Sequence, residues 1–428
     1  MRVAHYGNAC FSLFHGGIHI LCDPWLEAPA VAGGWEKFPP TDIRIKDIPK
    51  PDYIYISHIH SDHCEPETLA SLDKSTPVIG LARQPAFLER MLRLHGFQKL
   101  LLVPEGQPTE IAPGLRVETF AATFNHVVAE VIDSSVIFDL DGYVAINCND
   151  NSPEEPFCQQ VAGRYPKIDL AFLPCAGGGS YPAMYGNFSD AEKEMIIAKV
   201  LERKAAVFTR AIDLLRPKIT VPVAGGYAIR GLHPIQVNWQ QIRRLNLEEI
   251  VEYHRERGQY QGLISLMQPG MELDADRGEI IKGKYRVWNR EELQRHFQQL
   301  SATPAVKSLT THRRHLTLNR LVRNARSQLW RRQEQSKLFP AYRIVLDVEG
   351  QSSLFELDLQ KDEVLEQPRS AHLVEPYLRM TLDQDTLLEW LLGFEDFNML
   401  DSGHRITFFR VPNLYVQEAY YLMSFLRL

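Results

Sequence analysis

Long apolar runs are missing from this chain. No stretch of about 18 consecutive apolar residues occurs, so no transmembrane helix is expected. The opening residues, Met1-Arg2-Val3-Ala4-His5, lack the apolar core of a secretory signal. Cysteine is scarce and never closely paired. Cys10, Cys22, Cys64, Cys148, Cys158 and Cys175 stand singly in the first half, with no Cys-x-x-Cys spacing. Such usage favours buried free thiols in a reduced, cytoplasmic setting. A surplus of one charge is missing too. A formal charge of −6 gives the chain as a whole no basic surface for nucleic acid. The remaining balance, 45% hydrophobic and 23% charged, is that of a soluble globular protein. At 428 residues the chain exceeds one ordinary core, so at least two domains are expected.

Histidine, by contrast, is concentrated. Ser57-His58-Ile59-His60-Ser61-Asp62-His63 follows the apolar run Tyr53-Ile54-Tyr55-Ile56, which reads as a buried strand. The histidines therefore stand where a strand gives way to a loop, a place where polar side chains can converge. Imidazole nitrogen and carboxylate oxygen are donors that zinc, iron and manganese accept. His58 and His60 can aim at one metal, and Asp62 and His63 at a second. His5, His15 and His19 read as structural.

The pattern His-x-His-x-Asp-His behind a strand resembles the signature of the metallo-β-lactamase superfamily. The region before it agrees. Phe11–Phe14 and Ile18–Leu21 alternate around Gly16-Gly17 as a hairpin, and the second strand ends at Asp23-Pro24. The resemblance implies an α+β fold, the αββα sandwich of that superfamily. It also implies that Asp23 lies behind the metal site and orients it; the competing reading of Asp23 is a turn cap. A third histidine for the first metal would be His126, with Glu130 and Asp133 as rival ligands that would make a site richer in oxygen. Asp150, after the strand-like run Tyr143–Ile146, would bridge the two metals, its carboxylate offsetting their mutual repulsion. His233, in the loop after the strand Ile219–Val223, would close the second site. Asp62 and Asp150 are the expected catalytic carboxylates.

Shorter segments narrow the resemblance. Asp133-Ser134-Ser135, Asn147–Asp150, Gly178-Gly179-Ser180-Tyr181-Pro182, and Ala224-Gly225-Gly226-Tyr227 with His233-Pro234 are similar to the CMP-N-acetylneuraminate hydroxylase branch. That implies two iron ions, dioxygen chemistry and a small polar or nucleotide-linked substrate. The branch also carries a Rieske iron–sulfur module, which needs Cys-x-His and Cys-x-x-His pairs, and this sequence has neither. An oxygenase built on this chain would draw electrons from a separate protein. A dinuclear zinc or manganese hydrolase of ester, amide or phosphodiester bonds uses the same ligands and is the alternative. A metal-bound scaffold or lipid-binding protein without turnover is the third class.

Beyond the motifs, 28–50 reads as a long Pro- and Gly-rich loop that could cover a substrate, and Ser189-Asp190-Ala191-Glu192 opens a capped helix. The expected division is 1–300 for the metal-binding domain, 301–337 for a basic helical linker and 338–428 for a small α+β domain. Nine Lys or Arg stand against one Glu in 307–337, with Leu318, Leu321, Val322, Ala325 and Leu329 at helical spacing. That helix either packs by its apolar stripe or binds an anionic surface. The last segment resembles sterol-carrier-protein-like domains, which implies an apolar ligand, a substrate cover or a homodimer contact.

Overall fold

The computed structural model describes residues 1–83, 86–121, 134–175, 177–244, 246–307 and 317–428. The opening hairpin forms as expected, with Cys10–His15 antiparallel to Ile18–Cys22. Gly16 and Gly17 hold φ of +56° and +83° in its turn, where a side chain would be strained. The hairpin sits inside an eight-stranded sheet. Arg2–Gly7, Glu272–Asp274 and Glu279–Lys282 extend it on one side, and Tyr53–Tyr55, Val78–Ala82 and Leu100–Pro104 on the other. A second sheet has seven strands: Thr109–Ala112, Leu115–Ala121, Ser134–Leu140, Tyr143–Asn147, Leu170–Pro174, Ile219–Val223 and Leu263–Ile264.

The two sheets are packed face to face because each has an apolar inner face. Val3, Phe11, Leu13, Ile20 and Tyr55 from one meet Val117, Val136, Phe138, Phe172 and Val221 from the other. Phe11 and Phe172 stack across this interface with ring centroids 3.9 Å apart. Helices cover the outer faces. Pro66–Ser71 and Phe87–Leu94 insert Leu69 and Leu92 against the first sheet. Glu155–Arg164 and the long helix Asp190–Leu215 cover the second. The result is the αββα sandwich of the metallo-β-lactamase fold.

Parallel pairing places the polar loops. Ile18–Cys22, Tyr53–Tyr55 and Val78–Ala82 run parallel in one sheet, as do Tyr143–Asn147, Leu170–Pro174 and Ile219–Val223 in the other. Side chains just beyond the carboxyl ends of such strands have backbone support without being packed into the core. Asp23, Ser57–His63 and Asp150 all follow such ends.

One segment differs from expectation. The 28–50 region is not a free loop. It contains the strand Trp35–Lys37, paired antiparallel with Tyr227–Ile229, and the Trp35 and Tyr227 rings stack at 3.4 Å. The basic segment takes the first of its two expected arrangements and packs by its apolar stripe. Helix Leu318–Ser336 buries Leu318, Val322, Ala325 and Leu329 in the carboxy-terminal core. Arg326 is buried with them, donating from Nη1 to Gln333 Oε1 at 2.8 Å and from Nη2 to the Asp358 carbonyl at 3.1 Å.

The carboxy-terminal part is a five-stranded sheet in the order Val364–Pro368, Ser353–Asp358, Arg343–Val348, Tyr377–Leu382, Thr407–Val411. Helices Gln384–Leu391, Phe397–Ser402 and Gln417–Met423 pack with it. Its core is continuous with the outer apolar face of the seven-stranded sheet. Among the described residues, no helix is long and apolar enough to cross a membrane.

Truncating a ring at the centre of the sandwich leaves a cavity between two rigid sheets. Phe172→Ala is expected to cost about 3–5 kcal/mol, read as a lower urea unfolding midpoint.

Candidate metal centre

The motif turn starts on a buried hydrogen-bond frame. Tyr55 Oη donates to the Ser134 carbonyl at 2.9 Å, and Ser134 Oγ donates to the Ser57 carbonyl at 2.9 Å. These bonds tie the end of Tyr53–Tyr55 to the facing sheet. The turn then closes on itself, with the amides of His63 and Cys64 both bonded to the His60 carbonyl at 3.0 and 2.9 Å. His58, Asp62 and His63 are consequently buried, at 1%, 3% and 0% exposure, which removes competing water.

Asp23 is held in a costly conformation, with φ of +44°. Its amide bonds to the Tyr55 carbonyl at 2.9 Å. One carboxylate oxygen accepts from the Ser57 amide at 2.8 Å, and the other lies 3.1 Å from His63 Nδ1. On the far side of that ring, His63 Nε2 lies 3.1 Å from Asp150 Oδ1 and 3.3 Å from Asp62 Oδ2. Asp150 is aimed by a turn after Tyr143–Asn147. The Asn149 amide bonds to Asn147 Oδ1 at 2.9 Å and the Asp150 amide to Asn149 Oδ1 at 2.7 Å.

One imidazole thus stands between carboxylates on both sides. Burial opposes a charge on His63, but Asp150, Asp62 and Asp23 overcome it and hold its pKa well above the ordinary value. Burial pushes His58 the other way, well below its ordinary value, with His63 and His60 adding to the shift. Burial also raises Asp23. At Asp62 burial works upward, yet His63 and His60 bring the carboxyl below its usual range. A neutral His58, an anionic Asp62 and a His63 that needs a cation at Nε2 suit a divalent metal, which would occupy the place of the His63 proton.

Donor atoms of His58, His63 and Asp150 all lie within 4.8 Å of one another, a span compatible with one coordination sphere. His60 stands beside them, its ring centroid 4.5 Å from that of His58. Ser57 Oγ lies 2.8 Å from His58 Nδ1, so a metal would be met by Nε2. His126, Glu130 and Asp133 lie outside the described residues. His233 is not brought to this group. Beyond Tyr227–Ile229 the Gly231 amide bonds back to the Leu300 carbonyl, which carries His233 to the end of helix Arg290–Ser301. There its Nδ1 faces the Pro234 carbonyl at 3.2 Å and Ser301 Oγ at 3.5 Å.

Sequence reasoning passed over three polar supports. Ser57 precedes the motif and touches both Asp23 and His58. Asn8 donates from Nδ2 to Asp62 Oδ2 at 3.0 Å. Asn398, 338 residues further along the chain than His60, approaches that histidine. A turn asparagine and a distant helical asparagine carry no sequence signal of such roles. The Gly225-Gly226 pair finds its reason here, because a Cβ on Gly226 would lie 2.8 Å from the Asn8 amide nitrogen. A cavity of about 820 Å³ adjoins the site through Asn8, with Cys175, Gly226, Trp239, Trp288 and Arg290 also in its wall.

Residues 2–143 match the family described as the β-lactamase superfamily domain. The amino-terminal part of the chain is similar to that superfamily over about a third of its length. Over 235 residues, 53% of this chain, it is 29% identical to mouse (Mus musculus) cytidine monophosphate-N-acetylneuraminic acid hydroxylase, of which 39% is covered. Over 237 residues it is 30% identical to the human (Homo sapiens) protein named as an inactive form of that hydroxylase, of which 45% is covered. The aligned part therefore spans less than half of either relative. Igni18, a metallo hydrolase from Ignicoccus hospitalis, is similar with a TM-score of 0.44 at 19% identity, over 67% of this chain and 99% of that one.

Two outcomes test the site. Asp23→Ala removes the partner of His63 Nδ1, and metal uptake measured against a chelator is expected to weaken by about 10- to 100-fold. His5, buried near the site with its Nε2 3.3 Å from the Asn8 carbonyl, has its pKa lowered by burial to about 4. It stays neutral in the folded chain and takes up a proton near pH 6.5 in the unfolded one. Stability is therefore lost as pH falls below 6.5, by about 2 kcal/mol between pH 7 and pH 5. Urea unfolding of the native protein and of His5→Gln at both pH values is expected to show a loss that is smaller in the variant by about this amount.

Proposed function

We propose that this protein is a dinuclear metal enzyme, and that it is a diiron oxygenase that hydroxylates a small polar or nucleotide-linked substrate. The observation that supports a metal enzyme is the convergence of His58, His63 and Asp150, with three carboxylates around one buried imidazole. The likeness of half the chain to a hydroxylase supports oxygenation.

In this reading His58 and His60 would hold one metal with His126 as their third donor, Asp62 and His63 would hold the other, and Asp150 would serve as a further carboxylate donor. Bound iron supplies the redox chemistry that dioxygen requires, and zinc or manganese supplies a Lewis acid that activates water. Asp23 accepts the Nδ1 proton of His63 and so directs its Nε2 lone pair at the metal. Ser57 engages His58 Nδ1 and does the same for its Nε2. Asn8 keeps one oxygen of Asp62 turned. Burial of these groups excludes water from the donor atoms. The cavity beside Asn8, whose wall contains none of these donors, has aromatic and arginine side chains that suit a polar small molecule with a planar part.

One observation favours the hydrolase reading. The six cysteines are free and buried, and none pairs with histidine at Rieske spacing, so these residues bring no iron–sulfur electron donor of their own. The oxygenase reading therefore needs an electron donor beyond these residues.

Elemental analysis of protein purified without added metal separates the readings. About two irons per chain, lost together with oxygen consumption in Asp62→Ala, is the expected result. Two zinc ions and turnover of an ester or phosphodiester would replace the oxygenase by the hydrolase. Absence of bound metal and of any uptake would overturn both.

A further inference from the structure

The carboxy-terminal part of the chain reaches the motif turn itself. Asn398, in helix Phe397–Ser402, places its Nδ2 atom 3.4 Å from His60 Nε2. This approach is built rather than incidental. Asp396 caps the helix, accepting from the Met399 amide at 2.9 Å. At the other end, Trp35 Nε1 donates to the Ser402 carbonyl at 2.8 Å, and Ser180 Oγ bonds to Asp401. Gly34 and Gly403 pass so closely that a Cβ on Gly34 would collide with the Gly403 carbonyl. Arg405 then donates from Nη1 to the Ala32 carbonyl at 2.8 Å and from Nη2 to the buried Glu389 at 3.1 Å. The helix is thus pinned to the 177–182 segment and to the 28–37 segment, whose Val31 amide donates to Ser61 Oγ of the motif turn at 2.7 Å.

An imidazole that binds a metal through one nitrogen carries its proton on the other, and that N–H needs an acceptor. The amide of Asn398 can present either its nitrogen or its oxygen by a half-turn. With Oδ1 facing His60, it accepts the Nε2 proton, and the lone pair is placed on Nδ1. We propose that Asn398 is a positioning residue of the metal centre, which fixes the tautomer and ring orientation of His60 from the carboxy-terminal domain. The site is then incomplete without residues 338–428. This rests on the metal-enzyme reading above but not on the choice between iron and zinc.

The test uses the full chain and Zn²⁺ alone, titrated against a chromophoric chelator, with ¹⁵N shifts of the metal-free His60 ring as a second reading. Asn398→Leu keeps the branched heavy-atom shape and removes the acceptor, whereas Asn398→Asp keeps an acceptor. The native protein is expected to take up two Zn²⁺ per chain and to show His60 protonated at Nε2. Asn398→Leu is expected to bind one of the two ions about 10- to 100-fold more weakly and to lose the tautomer preference, and Asn398→Asp to retain both. A purely structural role would lower the unfolding midpoint and leave the ring shifts unchanged. Two Zn²⁺ of unchanged affinity in Asn398→Leu, with an unchanged tautomer, would overturn the inference and leave the metal-enzyme reading standing. A native protein that takes up no Zn²⁺ would overturn that reading and the inference together.

Discussion

Three carboxylates around the buried ring of His63 form the arrangement on which the rest of the site depends. Unpaired charge in a water-free interior is costly, so the buried Asp23 and Asp62, with the part-exposed Asp150 beside them, call for a cation among them. A proton on His63 meets that need in the metal-free chain. The surrounding backbone is shaped to keep the three acids in place. Asp23 sits at positive φ, Asn149 bends the chain before Asp150 at φ of +42°, and Asn8, at φ of +49°, holds Asp62. Strain at three positions around one ring is what a binding site, rather than a packing core, would retain.

The sandwich supplies the rigidity that makes such strain persist. The stacked pair Phe11 and Phe172 joins the two sheets just inside the site, and Tyr55 ties the motif strand to Ser134 across the gap. Loops from both sheets therefore open at one edge with fixed separation. The carboxy-terminal domain adds a further wall. Tyr185 stacks on Phe408 at 4.9 Å and the Met184 carbonyl receives the Phe408 amide, so the two parts share a continuous apolar core. A domain joined in this way is part of the frame of the site rather than an appended module.

Much of this was legible in the chain. The hairpin around Gly16-Gly17, the strand before the motif and the capped helix from Ser189 follow local rules of turn, period and cap, and the structure shows each of them. His58 and His63 were legible as candidate donors, because a dense set of donors behind a strand has few other uses, whereas Asp150 was named by resemblance. The 28–50 segment was read as a loop because its Pro and Gly content hides a three-residue strand whose partner lies about 190 residues away. His233 was assigned to the second metal by resemblance. Its position depends on a backbone bond to Leu300, which no local pattern reveals.

The amino-acid sequence by itself determined the motif and the helix and strand periods, because these depend on neighbours within a few residues, and the fold class followed from the resemblance that the motif carries. Tertiary structure alone decided which polar groups stand behind the ligands. Asn8, Ser57 and Asn398 are common residues in ordinary local contexts. Only long-range packing, which brings Asn398 beside His60, turns them into parts of one electrostatic arrangement.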